Sequence, residues 1–188
     1  MQNVVIRPTT LADLPSLVEC LNGVFLERKY LAIVEAIPVG EALGYHATKI
    51  TAGHPHFVAV DGDRVVGLCD AGPAAPSRIA AQAHTCTLGM LLATDYRGRG
   101  LGEPLLRAVL DACRGKFERV ALNVYSHNER AYRLYLRCGF VEEGRQRGAW
   151  KLDGVTSDII DMALSLSGAL RAPIPTTVRR AHPIKITL

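Results

Sequence analysis

Apolar positions recur along this chain in two rhythms, and the order in which the rhythms alternate predicts an architecture. Val4-Val5-Ile6-Arg7 reads as a short strand. Thr10 can cap a following helix, whose Leu11, Leu14, Val18, Leu21 and Phe25 fall at helical spacing. Residues 28–37 follow neither rhythm. Pro38 suits the first turn of a second helix, with Leu43, Ala47 and Ile50 on one face and Gly53 at its end. Two β-rich runs, 56–60 and 64–68, flank Asp61-Gly62-Asp63 and predict a hairpin. After an Ala/Pro/Ser-rich loop at about 72–82, a long strand runs from His84 to Ala93. Its end is almost continuously apolar, so cover on both faces is expected.

Leu101, Leu105, Leu106, Val109, Leu110 and Cys113 then form an amphipathic stripe closed near Gly115. Val120–Val124 is the next strand. Residues 128–138 form a helix with Ala131, Leu134, Tyr135 and Cys138 on one stripe, stopped by Gly139. Phe140-Val141 opens a strand, Leu152–Val155 is a turn, and Ile159–Leu166 completes the sheet. These elements predict an α/β protein. Its mixed, mostly antiparallel central sheet has six to seven strands, flanked by about four helices on both faces.

Composition fits one folded domain: 188 residues, 48% of them hydrophobic. No apolar run reaches the roughly 20 residues of a membrane span, and no secretory signal is visible, so a cytoplasmic protein is expected. Five cysteines, without metal-ligand spacing, read as reduced, mostly buried small hydrophobes; no metal site is expected. The net charge is +4, and Arg171, Arg179, Arg180 and Lys185, all beyond the last acidic residue Asp161, account for it. A neutral body argues against a nucleic-acid binder. The division expected is a domain over 1–166 and a basic, Pro-containing extension over 167–188, the latter a solvated tail.

Chemistry concentrates in Arg97-Gly98-Arg99-Gly100-Leu101-Gly102, between an apolar strand and an amphipathic helix. Glycines permit close backbone approach and positive φ, and a helix start presents unpaired N–H groups. Such a loop suits a phosphate or pyrophosphate, with arginines adding charge. Walker and dinucleotide patterns both fail, the latter because Glu103 stands at the last Gly position. A tight strand-to-helix turn with nothing bound is the bland alternative.

The segment Leu91–Gly102 resembles the coenzyme A signature Arg/Gln-x-x-Gly-x-Gly/Ala of the GCN5-related N-acetyltransferase (GNAT) superfamily, with Arg97, Gly100 and Gly102 matching. A second match follows at the family's spacing, Asn128-x-x-Ala131-x-x-x-Tyr135-x-x-x-Gly139-Phe140. The resemblance spans about residues 3–166. The ending from Glu143 to Leu164 is similar to the branch of amino-acid and phosphinothricin-type acetyltransferases, and ribosomal-protein N-terminal acetylases have related endings.

The resemblance implies the acyl-CoA N-acyltransferase fold, acetyl-CoA as cosubstrate and a small primary amine, such as an amino acid, as acceptor. A protein or peptide amine is the rival acceptor, and a non-catalytic acyl-CoA-binding regulatory module is the reading from another class. It implies that the backbone of Leu91 and Leu92 pairs with the pantetheine arm, and that the amides of Arg97, Gly98, Arg99, Gly100, Leu101 and Gly102 hold the pyrophosphate. Asn128 would bond the coenzyme arm, although it also fits a helix N-cap. Tyr135 would be the general acid for the leaving sulfur, its alternative being a core aromatic. Where many members place a basic Glu, this strand has Cys86, a poor substitute. His84 is the nearby group of suitable pKa, or else a structural strand residue. Glu27, Glu35 and His46 lie where the family's first helices cover the acceptor. A homodimer is a possibility the family raises.

Overall fold

The computed structural model describes residues 4–167. Among them, seven strands form one sheet: β1 (Val5–Pro8), β2 (His56–Asp61), β3 (Arg64–Pro73), β4 (Thr85–Leu92), β5 (Arg119–Tyr125), β6 (Val141–Leu152) and β7 (Val155–Ser165). Their order is β1-β2-β3-β4-β5-β7-β6, and every pairing is antiparallel except β4 with β5. Four α-helices accompany them: α1 (Leu14–Phe25), α2 (Val39–Thr51), α3 (Gly102–Cys113) and α4 (Glu129–Arg137). The expected mixed, mostly antiparallel sheet with helices on both faces is therefore found. The tail and the domain boundary beyond residue 167 lie outside the described residues.

Each helix forms for a local reason. Thr10 caps a short 3-10 turn (Leu11–Asp13) before α1. Its backbone N–H donates to Asp13, whose carboxylate also receives both arms of Arg7 at 2.7 Å. Burial presses on that carboxylate, but the Arg7 guanidinium prevails and pulls its pKa down to about 2. Helix α3 buries Leu105, Leu106, Val109, Leu110 and Cys113, the stripe that the spacing predicts. The final hairpin is longer than expected: β7 begins at Val155, immediately after a turn in which Asp153 and Gly154 both take positive φ.

Two cores separate the layers. One lies between the sheet and α3/α4 and holds Cys86, Leu88, Leu105, Leu106, Val120 and Phe140; the other lies under α1 and holds Leu17, Leu21, Val58, Leu68 and Leu91. All five cysteines are free thiols, four of them buried. The feature that matters for function is a split. Strands β4 and β5 pair only from Thr85↔Arg119 to Thr87↔Ala121, although both continue beyond.

Candidate active site at the split between two parallel strands

Beyond Thr87 the outward backbone groups of β4 have no neighbouring strand, because β3 occupies only the other edge. A cavity of about 300 Å³ fills the gap. Its walls come from β4 (Leu88–Leu92), β5 (Asn123, Val124, Tyr125), α4 (Arg130, Ala131, Leu134, Tyr135), and Tyr30, Leu31 and Ala32. An unpaired strand edge beside a cavity can take up an amide-bearing ligand as an added strand. Leu91 and Leu92 both line it, and Leu91 is itself buried under α1.

The glycine loop leads away from this cavity. Gly98 and Gly100 adopt φ of +77° and +83°, which other residues rarely take. Gly102 is needed for close packing instead. A Cβ there would stand 3.0 Å from the Leu134 side chain, so glycine lets α3 start close against α4. The loop is fastened on both sides. The Tyr96 hydroxyl donates to Asp61 at 2.6 Å, and Arg97 donates to both oxygens of Glu27 at 2.6 and 2.8 Å and to the Leu92 carbonyl at 2.8 Å.

Arg97 therefore corrects part of the sequence reading. Its fork is occupied by Glu27, so its side chain pins the loop to the end of α1 rather than waiting for a phosphate. Glu27 is correspondingly committed. Burial acts to raise its pKa, but the bonds from Arg97 and Thr94 outweigh that and hold it below the ordinary value. The cations left beside the loop are Arg99, packed over the Tyr96 ring, and Arg130, whose guanidinium lies 3.2 Å from where a Cβ on Gly98 would be. Neither has an ion-pair partner among the described residues. Arg130, which the sequence reading missed, lines the cavity from the first turn of α4.

Asn128 is a helix cap at the edge of the cavity. Its side-chain oxygen accepts from the Ala131 amide at 3.3 Å, capping α4, while the residue lines the cavity with its amide nitrogen unbonded among the described residues. Tyr135 is buried at 7% exposure and packs against Phe140, yet it also lines the cavity. Burial pushes its pKa up, so it is a neutral phenol at physiological pH, able to donate a proton.

His84 is not brought to this site. It is exposed in the turn before β4, and its carbonyl accepts from the Glu118 and Arg119 amides. The cavity begins at Leu88, four residues further along an extended strand, or roughly 13 Å away at about 3.3 Å per residue. Cys86 is no substitute base. Its side chain turns to the α3 core, with its sulfur 4.0 Å from that of Cys113. His46 is buried against His56 (2.9 Å), and Glu35 is exposed; neither lines the cavity.

The end of the cavity at Tyr30 and Tyr125 is aromatic. Tyr30 stacks on His127 at 5.9 Å, His127 meets Trp150 at 4.7 Å, and Trp150 meets Tyr125 at 5.3 Å. The aperiodic segment 26–38 is held in place by bonds to residues distant in sequence as well as to α1. Asn22 exchanges two hydrogen bonds with the Ile37 backbone, His127 donates to the Lys29 carbonyl, and Arg28 pairs with Asp153.

Comparison with known proteins agrees with this geometry. Residues 26–140 match the model of the acetyltransferase (GNAT) family. Over 170 residues the chain is 25% identical to the L-methionine sulfoximine/L-methionine sulfone acetyltransferase of Pseudomonas aeruginosa, covering 89% of this chain and 98% of that protein. Its structure is similar to that of a phosphinothricin acetyltransferase from Sinorhizobium meliloti in complex with acetyl-CoA. The TM-score is 0.81 at 21% identity, covering 95% of this chain and 97% of that one. A ribosomal-protein-alanine N-acetyltransferase from Brucella melitensis also shares the fold, with a TM-score of 0.77 at 24% identity over 86% of this chain and 99% of that one.

Proposed function

The chain belongs to the GNAT acetyltransferase family, and from that premise we propose that it moves the acetyl group of acetyl-CoA to the primary amine of a small molecule such as an amino acid. The observation that carries the reading is the cavity in the β4–β5 split. It runs from the coenzyme side, at Leu92, Asn128 and Arg130, to a wall at Tyr30 and Tyr125. A volume of about 300 Å³ supports a small acceptor. So does the named substrate of the Pseudomonas relative, an amino-acid derivative.

In this reading the pantetheine arm lies along the free edge of β4, bonded by its backbone and by Asn128. The pyrophosphate rests on the amides from Gly98 to Gly102, with Arg99 and Arg130 supplying charge. The acceptor nitrogen attacks the thioester carbon, the C–N bond forms and the C–S bond breaks. Tyr135 delivers a proton to the departing sulfur, and the proton that the nitrogen gives up passes through water to restore the phenol, leaving an amide and free CoA. Holding a neutral amine against an already activated thioester supplies much of the rate. The reaction needs no metal ion, and the protein acts in the cytoplasm.

Release of free CoA thiol, measured across a panel of amino acids, their analogues and peptides, tests the proposal. Turnover with an amino acid or analogue is expected. Turnover confined to peptides, or tight acetyl-CoA binding with no turnover on any acceptor, would overturn it.

A further inference from the structure

The split exposes a row of residues that crosses six of the seven strands on the face bearing α1 and α2. His56 pairs with Asp70, and Asp70 with Gly89; beyond the gap, Asn123 pairs with Asp161, and Asp161 with Gly144. Were the parallel pairing of Thr87 with Ala121 continued by two residues, Gly89 would face Asn123. Instead the strands have parted there, and both residues line the cavity. Row neighbours in a sheet point to the same side, so Asp70 and Asn123 flank a notch where Gly89 has no side chain.

Asp70 is an unusual resident for that position. Its side chain is only 9% exposed, and Lys49 of α2 is paired to its Oδ2. Burial acts to lower the Lys49 pKa, but Asp70 outweighs it and raises the value. The other oxygen, Oδ1, makes no hydrogen bond among the described residues. It stands 3.2 Å from the point a Cβ on Gly89 would occupy. Oδ1 keeps some contact with solvent, so a donor that displaces that water can bond it. On the far side of the notch, Asn123 donates to Asp161, which also accepts from Gln146.

We propose that Asp70 Oδ1 binds the acceptor nitrogen, received through the notch that Gly89 leaves in β4. This rests on the acetyltransferase reading above and supplies it with an acceptor contact: Asp70 does not itself line the cavity but stands directly behind Gly89, which does. An N–H of the amine donates to Oδ1, which aims the nitrogen lone pair across the split toward the thioester. The Lys49–Asp70 pair is neutral as a unit and its Oδ2 bond fixes the carboxylate, so Oδ1 is a placed acceptor. The substrate class is a primary amine slender enough at nitrogen to pass a glycine-sized gap, with its substituent against the aromatic wall at Tyr30 and Tyr125.

The test is steady-state kinetics on Asp70→Asn, Gly89→Ala and Lys49→Gln, with acetyl-CoA affinity by calorimetry and melting curves alongside. In Asp70→Asn, Lys49 retains the amide oxygen and the NH2 group is turned to the notch, a donor where an acceptor is needed. In Gly89→Ala the ion pair survives, but a methyl covers Oδ1. Both are expected to raise KM for the amine by about 10- to 100-fold, the range for a hydrogen bond to a charged group, with acetyl-CoA affinity unchanged. Lys49→Gln keeps a donor for Oδ2 and should leave the amine KM within about threefold, well below the effect of losing the acceptor bond itself.

If the pair serves only the fold, Lys49→Gln will match Asp70→Asn and Gly89→Ala will be silent; that pattern overturns the proposal. Should Asp70→Asn fail to fold, Gly89→Ala decides alone. A wild-type protein that acetylates no amine at all brings down the acetyltransferase reading and this one with it. Wild-type turnover with an unaltered amine KM in Gly89→Ala brings down only this one.

Discussion

The two faces of the sheet are covered differently. Under α3 and α4 the cover is complete: Val120, Leu122 and Val124 of β5 are all buried against it, continuous with Leu88 and Phe140. On the other face α1 packs chiefly over β3 and α2 packs on α1. The alternate β5 residues Ala121, Asn123 and Tyr125 are left half-buried or exposed. One face is thus a packed layer that fixes the coenzyme-side elements. The other is half-open, with polar side chains and aromatic rings around a cavity. On the proposed reading, parts that must stay constant for any acceptor sit on the first, and parts that can vary with the acceptor sit on the second.

The largest break in that contrast comes from Tyr135, the packed-face residue that reaches the cavity. Tyr135→Phe keeps the ring against Phe140 and removes only the hydroxyl, so the fold and acetyl-CoA affinity should hold. The expected loss in kcat is about 100- to 10,000-fold, the range for a positioned acid, read as thiol release at saturating substrates. A loss under about threefold would remove Tyr135 from the chemistry and leave it a core residue.

A smaller effect tests the open face. Its closed end is sealed by polar groups under α2: His46 Nδ1 meets His56 Nε2 at 2.9 Å, and His56 Nδ1 meets the Thr9 hydroxyl at 2.8 Å. Burial pushes the His56 pKa down to about 4 from its ordinary 6.5, and lowers that of His46 as well. Both rings are neutral in the fold. The unfolded chain binds the extra protons between those values, so stability falls as the pH drops from about 6.5 toward 4. The expected loss for His56 is roughly 2–3 kcal/mol at pH 4, seen as a falling denaturation midpoint. His56→Gln should flatten the slope. A slope unchanged in that variant would mean that other groups carry it.

How much of this was legible follows the same division. Local geometry writes itself into sequence, so Gly98 and Gly100, the Asn128 cap and the α3 stripe could all be read from spacing alone. Tyr135 could be placed too, because a motif fixes its offset from Asn128 along one helix. Contacts made by distant segments leave no such spacing. Glu27 meets Arg97 across 70 positions and Arg28 meets Asp153 across 125. Residues 28–37 lack a rhythm because they pack as a strap bonded through Asn22 and His127, not as a helix or strand. His84 was misplaced for a simpler reason. Apolar content says that a strand is present, but not where along it the neighbour departs, and the split lies beyond Thr87 rather than at the strand's beginning.

The least drastic test concerns the hinge between the two regions, the Glu27–Arg97 bond. Both side chains are about one-fifth exposed, at 22% and 17%, so solvent screens them only in part. The pair joins the end of α1 to the glycine loop, and the Arg97 guanidinium also lies 5.5 Å from the Tyr30 ring centre. A double-mutant cycle with Glu27→Gln and Arg97→Gln, followed by denaturant unfolding, should return a coupling of about 1 kcal/mol, near the upper end for partly exposed pairs. The same cycle scored by acetyl-CoA affinity separates two roles for Arg97. If it binds phosphate directly, Arg97→Gln weakens acetyl-CoA strongly and Glu27→Gln, by freeing the fork, strengthens it. If it only fastens the loop, the two variants weaken acetyl-CoA alike and the double variant is no worse than either. The bidentate geometry and the third bond to the Leu92 carbonyl favour the second outcome, because an arginine with its fork filled has little left to offer a phosphate.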